Sequence, residues 1–222
     1  MIKLQKTAKP AVLIQNAATW TATFLAKVAA KVTPTQTESA RYRHPDVKAA
    51  LVAETHGKCA YCESKLQHIH HGDVEHIVPK SLAPEKRFEW ENLTLACEIC
   101  NQNKSDKDPY LEHIIDPYSV DPSLHLAFAG ALVFPLGTLE GRNTQVLLDL
   151  NRTALAEQRR ERLEYVMAIL DMVLREDLPL VTRKSIFKNL QANEAADHSA
   201  YSAMVRATIV ALNKNLSPLV VT

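Results

Sequence analysis

The stretch CAYCESKLQHIHHGDVEHIVPKSLAPEKRFEWENLTLACEICNQNK, residues 59–104, decides the fold, because it holds all four cysteines of the chain. They form two CxxC pairs, Cys59 with Cys62 and Cys97 with Cys100, and 34 residues separate the pairs. A two-residue gap lets both thiolates of a pair reach one ion, and two pairs complete a tetrahedral site. The spacing predicts a structural zinc ion, since four protein ligands leave no open position for a substrate.

The alternative for the cysteines is two disulfides or four unrelated core thiols. The N-terminal sequence MIKLQKTAKP has no apolar run and no cleavage site, so it does not predict a signal peptide. No apolar run is long enough to predict a membrane span. We therefore expect a cytoplasmic protein with no membrane contact. Thiols stay reduced in the cytoplasm, and this favours zinc over disulfides.

The overall charge gives no general attraction for a polyanion. The 222 residues carry a formal net charge of +1, with 46% hydrophobic and 23% charged residues. If the chain binds nucleic acid, local groups must supply the electrostatic attraction. The basic residues that could line such a surface are Arg41, Arg43, Lys58, Lys86, Arg87, Lys107 and the run Arg159, Arg160 and Arg162.

The region before the cysteines reads as two helices. In NAATWTATFLAKVAAKV, Trp20, Phe24 and Val28 lie four residues apart and form one apolar stripe. This stripe either packs in the core or docks a partner. After a polar linker, Pro45 is a favourable first residue for a second helix, and Gly57 is a natural C′ residue at its end.

The region after the cysteines begins with loops and ends in helices. The run LHLAFAGALVF predicts a small hairpin, and the segments PLG and EGR near it read as loops. Asn151 is a plausible N-cap for a long amphipathic helix, and two more helical patterns follow it. The sequence thus predicts a helical shell around a metal-stabilised αβ insert.

The segment DVEHIVPKS, residues 73–81, offers groups suited to phosphodiester hydrolysis. That reaction needs an activated water and a cation that takes up charge on the phosphate. His76 could act as the base, with Glu75 and Asp73 as hard oxygen ligands. In a regular strand Glu75 and His76 point to opposite faces, whereas Asp73 and Glu75 share one. Other suitable groups are the amides of Asn92 and Asn101 and the cations of Lys80 and Lys104.

Each of these residues also has a purely structural interpretation. His76 could be a buried structural histidine, and Asn101 could only cap the helix that follows the second cysteine pair. Asp73 could be a solubilising charge on a strand edge. Lys80 and Lys104 could be ordinary solvated lysines. The cluster of His68, His70 and His71 reads as a solvated turn, with a short strand on either side of His71–Gly72.

CAYC, DVEHIVPKS and WENLTLACEICNQNK together resemble the HNH, or ββα-metal, endonuclease family over residues 59–104. The resemblance implies that His76 is the general base and that Glu75 binds a divalent ion. It further implies that Asn92 holds the loop that carries His76 and that Asn101 is the second metal ligand. An amide in place of the histidine often found there favours Mg²⁺ or Mn²⁺ as the catalytic ion.

The resemblance leaves three residues in supporting roles. Asp73 is a reserve ligand that could replace or assist Glu75, and Lys80 and Lys104 are candidate contacts to a substrate phosphate. The implied fold is mainly α with an embedded ββα-metal insert held by a four-cysteine zinc site, α+β overall. Its regions are an N-terminal helical segment at 1–57, the HNH core at 58–108, and a hairpin region with a C-terminal helical bundle at 109–222.

The flanks resemble a narrower group, the PtuB-type HNH nucleases of Septu anti-phage systems and their retron-associated relatives. The segments that carry this resemblance are DPY, IIDPYSVDPSLHLAF and LDLNR. It implies a metal-dependent endonuclease that acts on nucleic acid, DNA rather than RNA, as the effector of a defence system with an ABC-type ATPase partner. Two alternatives stay open: a non-catalytic zinc module that binds nucleic acid or protein, and an RNA-cleaving effector.

Overall fold

Eight α-helices and four short strands make up the part of the chain that the structure, a computed structural model, describes: residues 1–66, 72–212 and 216. The helices are α1 (Ala11–Ala29), α2 (Gln36–Ser39), α3 (Pro45–Glu54), α4 (Glu98–Lys104), α5 (Leu139–Leu147), α6 (Thr153–Leu174), α7 (Leu180–Asn193) and α8 (Ser202–Ala211). The strands are β1 (Asp73–His76), β2 (Leu93–Ala96), β3 (Leu126–Ala129) and β4 (Leu132–Pro135). Short 3₁₀ turns cover Arg41–Arg43, Pro84–Lys86, Trp90–Asn92 and Pro122–Leu124.

Strands β1 and β2 form an antiparallel pair that runs from Asp73 opposite Ala96 to His76 opposite Leu93. The sequence predicts a partner for β1 directly before His71. The segment directly before His71 lies outside the described residues, so that pairing stays a prediction. Among the described residues, β1 pairs with β2, which begins after the 16 residues 77–92. Every residue of β2 is buried, and this explains why the sequence LTLA is almost entirely apolar. Helix α4 follows β2 and completes a ββα unit.

Gly72 leads the chain into β1 with a left-handed backbone, at a φ of +68°. A Cβ at this position would lie 2.8 Å from Cδ1 of Leu66, an atom at the end of a flexible side chain, so the left-handed backbone is the main reason for glycine here. The three histidines for which the sequence predicts a solvated turn, His68, His70 and His71, lie outside the described residues.

Helix α3 ends one residue earlier than the prediction of Gly57 as its C′ residue requires. The C′ residue is His56, at a φ of 55°, and Gly57 is the next residue. The Gly57 N–H donates to the Val52 carbonyl at 2.7 Å, and the His56 N–H donates to the Ala53 carbonyl at 3.2 Å. These two bonds make a Schellman motif, which satisfies the last carbonyls of the helix before the first cysteine pair.

Asn151 does not cap α6 as the sequence predicts, because Arg152 holds the N-cap position. The Asn151 side chain instead binds β4, with its oxygen accepting from the Val133 N–H at 2.9 Å and its amide donating to the Val133 carbonyl at 2.9 Å. This amide therefore joins the predicted hairpin, formed by β3 and β4, to the start of α6.

The segment that contains EGR is a helix rather than the predicted loop. Thr138 caps α5, and its side-chain oxygen accepts from the Gly141 N–H at 3.1 Å. Gly141 is buried, and a Cβ there would lie 2.2 Å from the carbonyl oxygen of His125. Glycine is therefore needed because α5 lies close to the backbone before β3, and not because the chain turns there.

The apolar stripe of α1 packs in the core over part of its length. The Phe24 and Trp20 rings contact Phe88 edge-to-face, with ring centroids 6.2 and 5.8 Å apart. Val28 is 47% exposed, so the predicted stripe ends one turn early. Among the described residues, no helix combines the length and the apolar character that crossing a membrane requires.

Residues from all three regions of the sequence meet in one hydrophobic core. It takes Leu13 and Val47 from the first region, Cys59 and Leu95 from the second, and Met204 from the third. A second, smaller core lies within the C-terminal helices and includes Val166, Leu170, Val173, Phe187, Leu190 and Val205. The three sequence regions are therefore not separate packing units.

A buried carboxylate, Glu54 at the end of α3, ties the N-terminal segment to the region of β2. It accepts hydrogen bonds from the Thr7 N–H at 2.8 Å, from the Lys6 ammonium at 3.1 Å and from the Tyr118 hydroxyl at 2.6 Å. Trp90 adds a bond from its ring N–H to the Thr7 carbonyl at 3.0 Å. These contacts satisfy the polar groups that the core would otherwise bury without partners.

We expect Gly141→Ala to lower the free energy of unfolding by about 2 kcal/mol, as overpacking does. Alanine favours a helix over glycine by about 1 kcal/mol, so a helix-propensity effect alone would have the opposite sign. Urea unfolding followed by circular dichroism measures the change. Arg142→Ala, at the exposed neighbouring position, is the control. Equal or greater stability of Gly141→Ala would contradict the close contact with His125.

Candidate active site and metal centre

The two cysteine pairs converge on one point, the first pair from the loop after α3 and the second from the start of α4. The first pair lies on a turn closed by the Cys59 N–H, which donates to the Ser64 carbonyl at 2.9 Å. The second pair begins α4, where Cys97 is the N-cap and its sulfur accepts from the Cys100 N–H at 3.4 Å. All four sulfur atoms lie within 4.8 Å of one another.

The four thiols fit a tetrahedral zinc ion and not a pair of disulfides. The Cys62 and Cys97 sulfurs are 3.9 Å apart, and Zn–S bonds of about 2.3 Å in a tetrahedron require sulfurs about 3.8 Å apart. All four cysteines are free, and Cys97 alone of them is not fully buried. The donor set and its burial are those of a structural zinc site, which has no open coordination position.

Arg152, the N-cap of α6, lies beside the thiolates. Its Nη2 is 3.9 Å from the Cys97 sulfur and 3.8 Å from the Cys100 sulfur, and its Nη1 donates to the Asp149 carbonyl at 3.1 Å. A divalent ion with four thiolates has a net charge of −2, so a guanidinium at this distance stabilises the loaded site. Arg152 is the last residue of LDLNR, a segment quoted for the resemblance of the flanks, but nothing in the sequence indicates that it lies beside the cysteines.

Glu63, directly after the first cysteine pair, gathers a second set of contacts. Its carboxylate contacts the Met1 ammonium at 2.7 Å and the Lys58 ammonium at 3.1 Å, and it accepts from the Ser202 hydroxyl at 2.9 Å. Burial raises the pKa of Glu63, but the two ammonium groups outweigh it and lower the pKa to about 2. Helix α8 is thereby fixed to the first cysteine pair.

A separate cavity of about 450 Å³ lies at the end of β1, against α4. Four of the residues singled out in the sequence line it: Glu75, His76, Lys80 and Asn101. Glu75 and His76 reach the same cavity although they are neighbours on a strand, and His76 is the last residue of that strand. The remaining lining residues are Pro79, Ser81, Gln102, Ser105 and Asp106.

The His76 imidazole is held as a neutral base. Its Nε2 lies 3.0 Å from the Arg87 carbonyl oxygen, which can only accept, so Nε2 carries the proton and Nδ1 keeps its lone pair. The Tyr42 ring contacts the imidazole edge-to-face, with centroids 4.5 Å apart. Burial lowers the pKa of His76 to about 3, so the imidazole is unprotonated at neutral pH.

Glu75 and Lys104 form a buried ion pair beneath the cavity. The Lys104 ammonium lies 2.9 Å from Oε1 of Glu75 and donates to the His76 carbonyl at 2.9 Å. Burial raises the pKa of Glu75, and the charge of Lys104 opposes that effect. Lys104 is 0% exposed, which does not fit the prediction that it contacts a substrate phosphate. Its position instead fixes the carboxylate and the backbone of the two neighbouring residues, Glu75 and His76.

Asp73 and Asn101 contact each other next to the cavity. The Asn101 side-chain amide donates to Oδ2 of Asp73 at 3.2 Å, so the Asn101 oxygen is left as an acceptor. Asp73 does not line the cavity, whereas Asn101 does. The geometry therefore gives Asp73 the position of a residue that orients Asn101 rather than that of a ligand. Glu75 and Asn101 present the oxygen donors that a hard divalent cation prefers.

Asn92 is buried and holds the chain that leaves β1. Its oxygen accepts from the Val78 N–H at 2.8 Å, and its amide donates to the carbonyls of Val78 at 3.0 Å and Lys86 at 3.3 Å. The Asn92 carbonyl also accepts from the Ile77 N–H at 2.9 Å. Asn92 does not line the cavity, so its contacts act on the position of the loop after His76.

Of the basic residues considered from the sequence, Lys58 and Arg159 are buried and bound to protein groups. Lys58 pairs with Glu63, and Arg159 donates to the Leu150 carbonyl at 2.6 Å. Lys80, in contrast, is exposed at the cavity. Two cavity groups, Ser105 and Asp106, were missed because they fall outside the spacing of the motif, although they follow Lys104 directly.

Comparisons with known proteins agree with this geometry. Residues 59–107 match the family model of HNH endonucleases, a range that covers both cysteine pairs and every residue lining the cavity. The chain is 29% identical over 221 residues to the Septu protein PtuB of Bacillus thuringiensis, an alignment of 94% of this chain and 82% of the relative. It is 28% identical over 194 residues to the Septu protein PtuB of Bacillus mycoides strain KBAB4, covering 72% of this chain and 66% of the relative.

We expect Lys104→Met to lower the free energy of unfolding by about 3 kcal/mol, because it leaves the Glu75 carboxylate buried without its partner. The double variant Glu75→Gln with Lys104→Met should lose less than the single variant, since it removes both charges. Urea unfolding at pH 7 in zinc-containing buffer measures the losses. Lys80→Met makes the same change at an exposed site of the cavity and is the control. Equal stability of Lys104→Met and Lys80→Met would contradict the buried pair.

We expect Arg152→Gln to weaken zinc binding about tenfold, the effect typical of losing a group that supports metal ligands. Competition with a chromogenic zinc chelator measures the affinity. Arg160→Gln, at an exposed position of α6, is the control. An unchanged zinc affinity, with circular dichroism showing a folded protein, would show that the guanidinium does not stabilise the thiolates.

Proposed function

We propose that this protein, an HNH endonuclease by its domain at residues 59–107, hydrolyses phosphodiester bonds of nucleic acid with the aid of a divalent metal ion. DNA is the proposed substrate. The proposed setting is the cytoplasm, as the nuclease effector of an anti-phage defence system with an ABC-type ATPase partner. The single observation that carries the hydrolytic role is the shared cavity of Glu75, His76, Lys80 and Asn101.

His76 is the general base of the proposed reaction. Its Nδ1 accepts a proton from the attacking water, because Nε2 already donates to the Arg87 carbonyl. That hydrogen bond, the Tyr42 ring and the loop held by Asn92 keep the imidazole in one orientation. The low pKa keeps the base unprotonated, and the cost is a weaker affinity for the proton that it accepts.

Glu75 and Asn101 are the residues that would hold Mg²⁺ or Mn²⁺. Such an ion, when bound, neutralises charge on the phosphate and on the leaving oxygen. The chain prepares for it by fixing one Glu75 oxygen with Lys104 and by turning the Asn101 oxygen away from Asp73. Lys80 contacts the substrate phosphate from the open side of the cavity, where its ammonium is exposed.

The four-cysteine site has a structural role in this proposal. Four thiolates complete the coordination of zinc, so the ion holds α4 and the first cysteine pair together and takes no part in hydrolysis. The helix that carries Asn101 begins at Cys97, and loss of zinc therefore removes the support of the catalytic ligand.

The defence role rests on the similarity to the two Septu proteins PtuB over most of this chain. The charge of the chain agrees with an effector that acts together with another protein. A net charge of +1 supplies little attraction for nucleic acid, so a partner that holds the nuclease on its substrate raises its activity.

We expect His76→Ala to reduce cleavage at least 100-fold, because a positioned base contributes about that factor or more. The assay uses supercoiled plasmid and single-stranded RNA with Mg²⁺ or Mn²⁺, with and without the proposed ATPase partner. His113→Ala, which changes an exposed histidine outside the cavity, is the control.

Equal cleavage by the wild type and His76→Ala would contradict the assignment of the base. No cleavage by the wild type under any of these conditions, together with tight zinc binding, would favour a non-catalytic zinc module. Faster cleavage of RNA than of plasmid would move the substrate from DNA to RNA and leave the site residues unchanged.

A further inference from the structure

The 3₁₀ turn Arg41–Arg43 lies against the reaction centre although it is outside the residues that match the HNH model. Tyr42 is buried, 4% exposed, and its ring contacts the His76 imidazole with an interplanar angle of 75°. The turn between α2 and α3 is thereby fixed beside the catalytic cavity. Arg41 and Arg43, which flank Tyr42, therefore also lie near this cavity.

Two cations lie around the Tyr42 ring. The Arg43 guanidinium carbon is 5.5 Å from the ring centroid, and the Lys80 ammonium is 5.7 Å from it. Arg43 and Lys80 are therefore no more than about 11 Å apart, the sum of these two distances. One strand of a duplex presents a phosphate about every 3.4 Å along the axis, so this span covers at most about three successive phosphates.

Within the described part of the chain these cations make no direct ion pair, although the charge of Lys80 acts on Glu75, which lines the same cavity. Arg41, Arg43 and Lys80 make no ion pair there, whereas Arg162, Arg175 and Arg206 each contact an acidic side chain. Contact with an aromatic ring leaves the N–H groups of a guanidinium available for an anion. Asp106 is an acidic side chain that lines the cavity, and it lies on the α4 side, after that helix ends.

We propose that Arg43 and Lys80 form a phosphate-binding edge of the nuclease cavity, which holds the DNA strand next to the bond that is cut. This inference rests on the proposed function, since it names the surface by which that same site binds its substrate. Arg41, whose guanidinium lies 5.4 Å from the Trp20 ring, extends the positive edge along the N-terminal segment. The local charge supplies the attraction that the net charge of +1 does not.

The test measures binding separately from cleavage. Binding of a fluorescein-labelled DNA duplex is followed by anisotropy as a function of salt, in the His76→Ala background so that the probe stays intact. The double change Arg43→Ala with Lys80→Ala should weaken binding at least tenfold and reduce the slope of log affinity against log salt by about 2. Arg142→Ala, at an exposed arginine of α5, should leave both quantities unchanged.

The same double change with His76 intact should raise KM at least tenfold and change kcat by less than threefold. Affinity and salt slope equal to those of the parent would overturn the phosphate edge, and loss of cleavage in His76→Ala would then still support the proposed function. A wild type that neither binds nor cleaves DNA would overturn both. If the double change Arg43→Ala with Lys80→Ala weakened binding of a single-stranded RNA probe more than binding of the DNA duplex, the assignment to DNA would be overturned.

Discussion

The convergence of four thiolates on one point is the constraint on which the rest of the structure depends. The sheet of β1 and β2 has two strands of four residues, which is too little to be stable by itself in water. The cysteines bracket this sheet and start α4, so a single ion bound by all four would close the ββα unit from both ends. Arg152 and Glu63 then join the later helices to the same point.

The chemistry of the cavity depends on two buried side chains, one of which is neutral and the other of which is paired with a buried counter-charge. Burial keeps the His76 imidazole neutral, whereas the Glu75 carboxylate, which is also buried, is balanced by the charge of Lys104. Lys104 also donates to the His76 carbonyl, so one ammonium fixes both the His76 backbone and the Glu75 carboxylate. A site of this kind presents one open lone pair and one open carboxylate oxygen to the same cavity.

The residues of the candidate site could be predicted from the sequence because their spacing is short and their types are chemically distinctive. Cys59, Glu75, His76 and Asn101 belong to such local patterns. Contacts between distant segments leave no such pattern. The pairing of β1 with β2, the bond of Asn151 to Val133, and the ring of Tyr42 on His76 all join residues that are separated in the sequence. Gly141 is predicted to lie in a loop because the group that requires a glycine there, the carbonyl of His125, is distant in the sequence.

The hydrogen bond between Ser202 and Glu63 also sets an order of events during synthesis. The two residues are 139 positions apart, so at translation rates of about 5–20 residues per second their meeting comes on the order of 10 s after Glu63 is made. Cys100 follows Cys62 by 38 residues, about a quarter of that separation. The nascent chain therefore has all four cysteines well before α8 is made, and an ion bound there would hold the two cysteine pairs together while the C-terminal helices are synthesised.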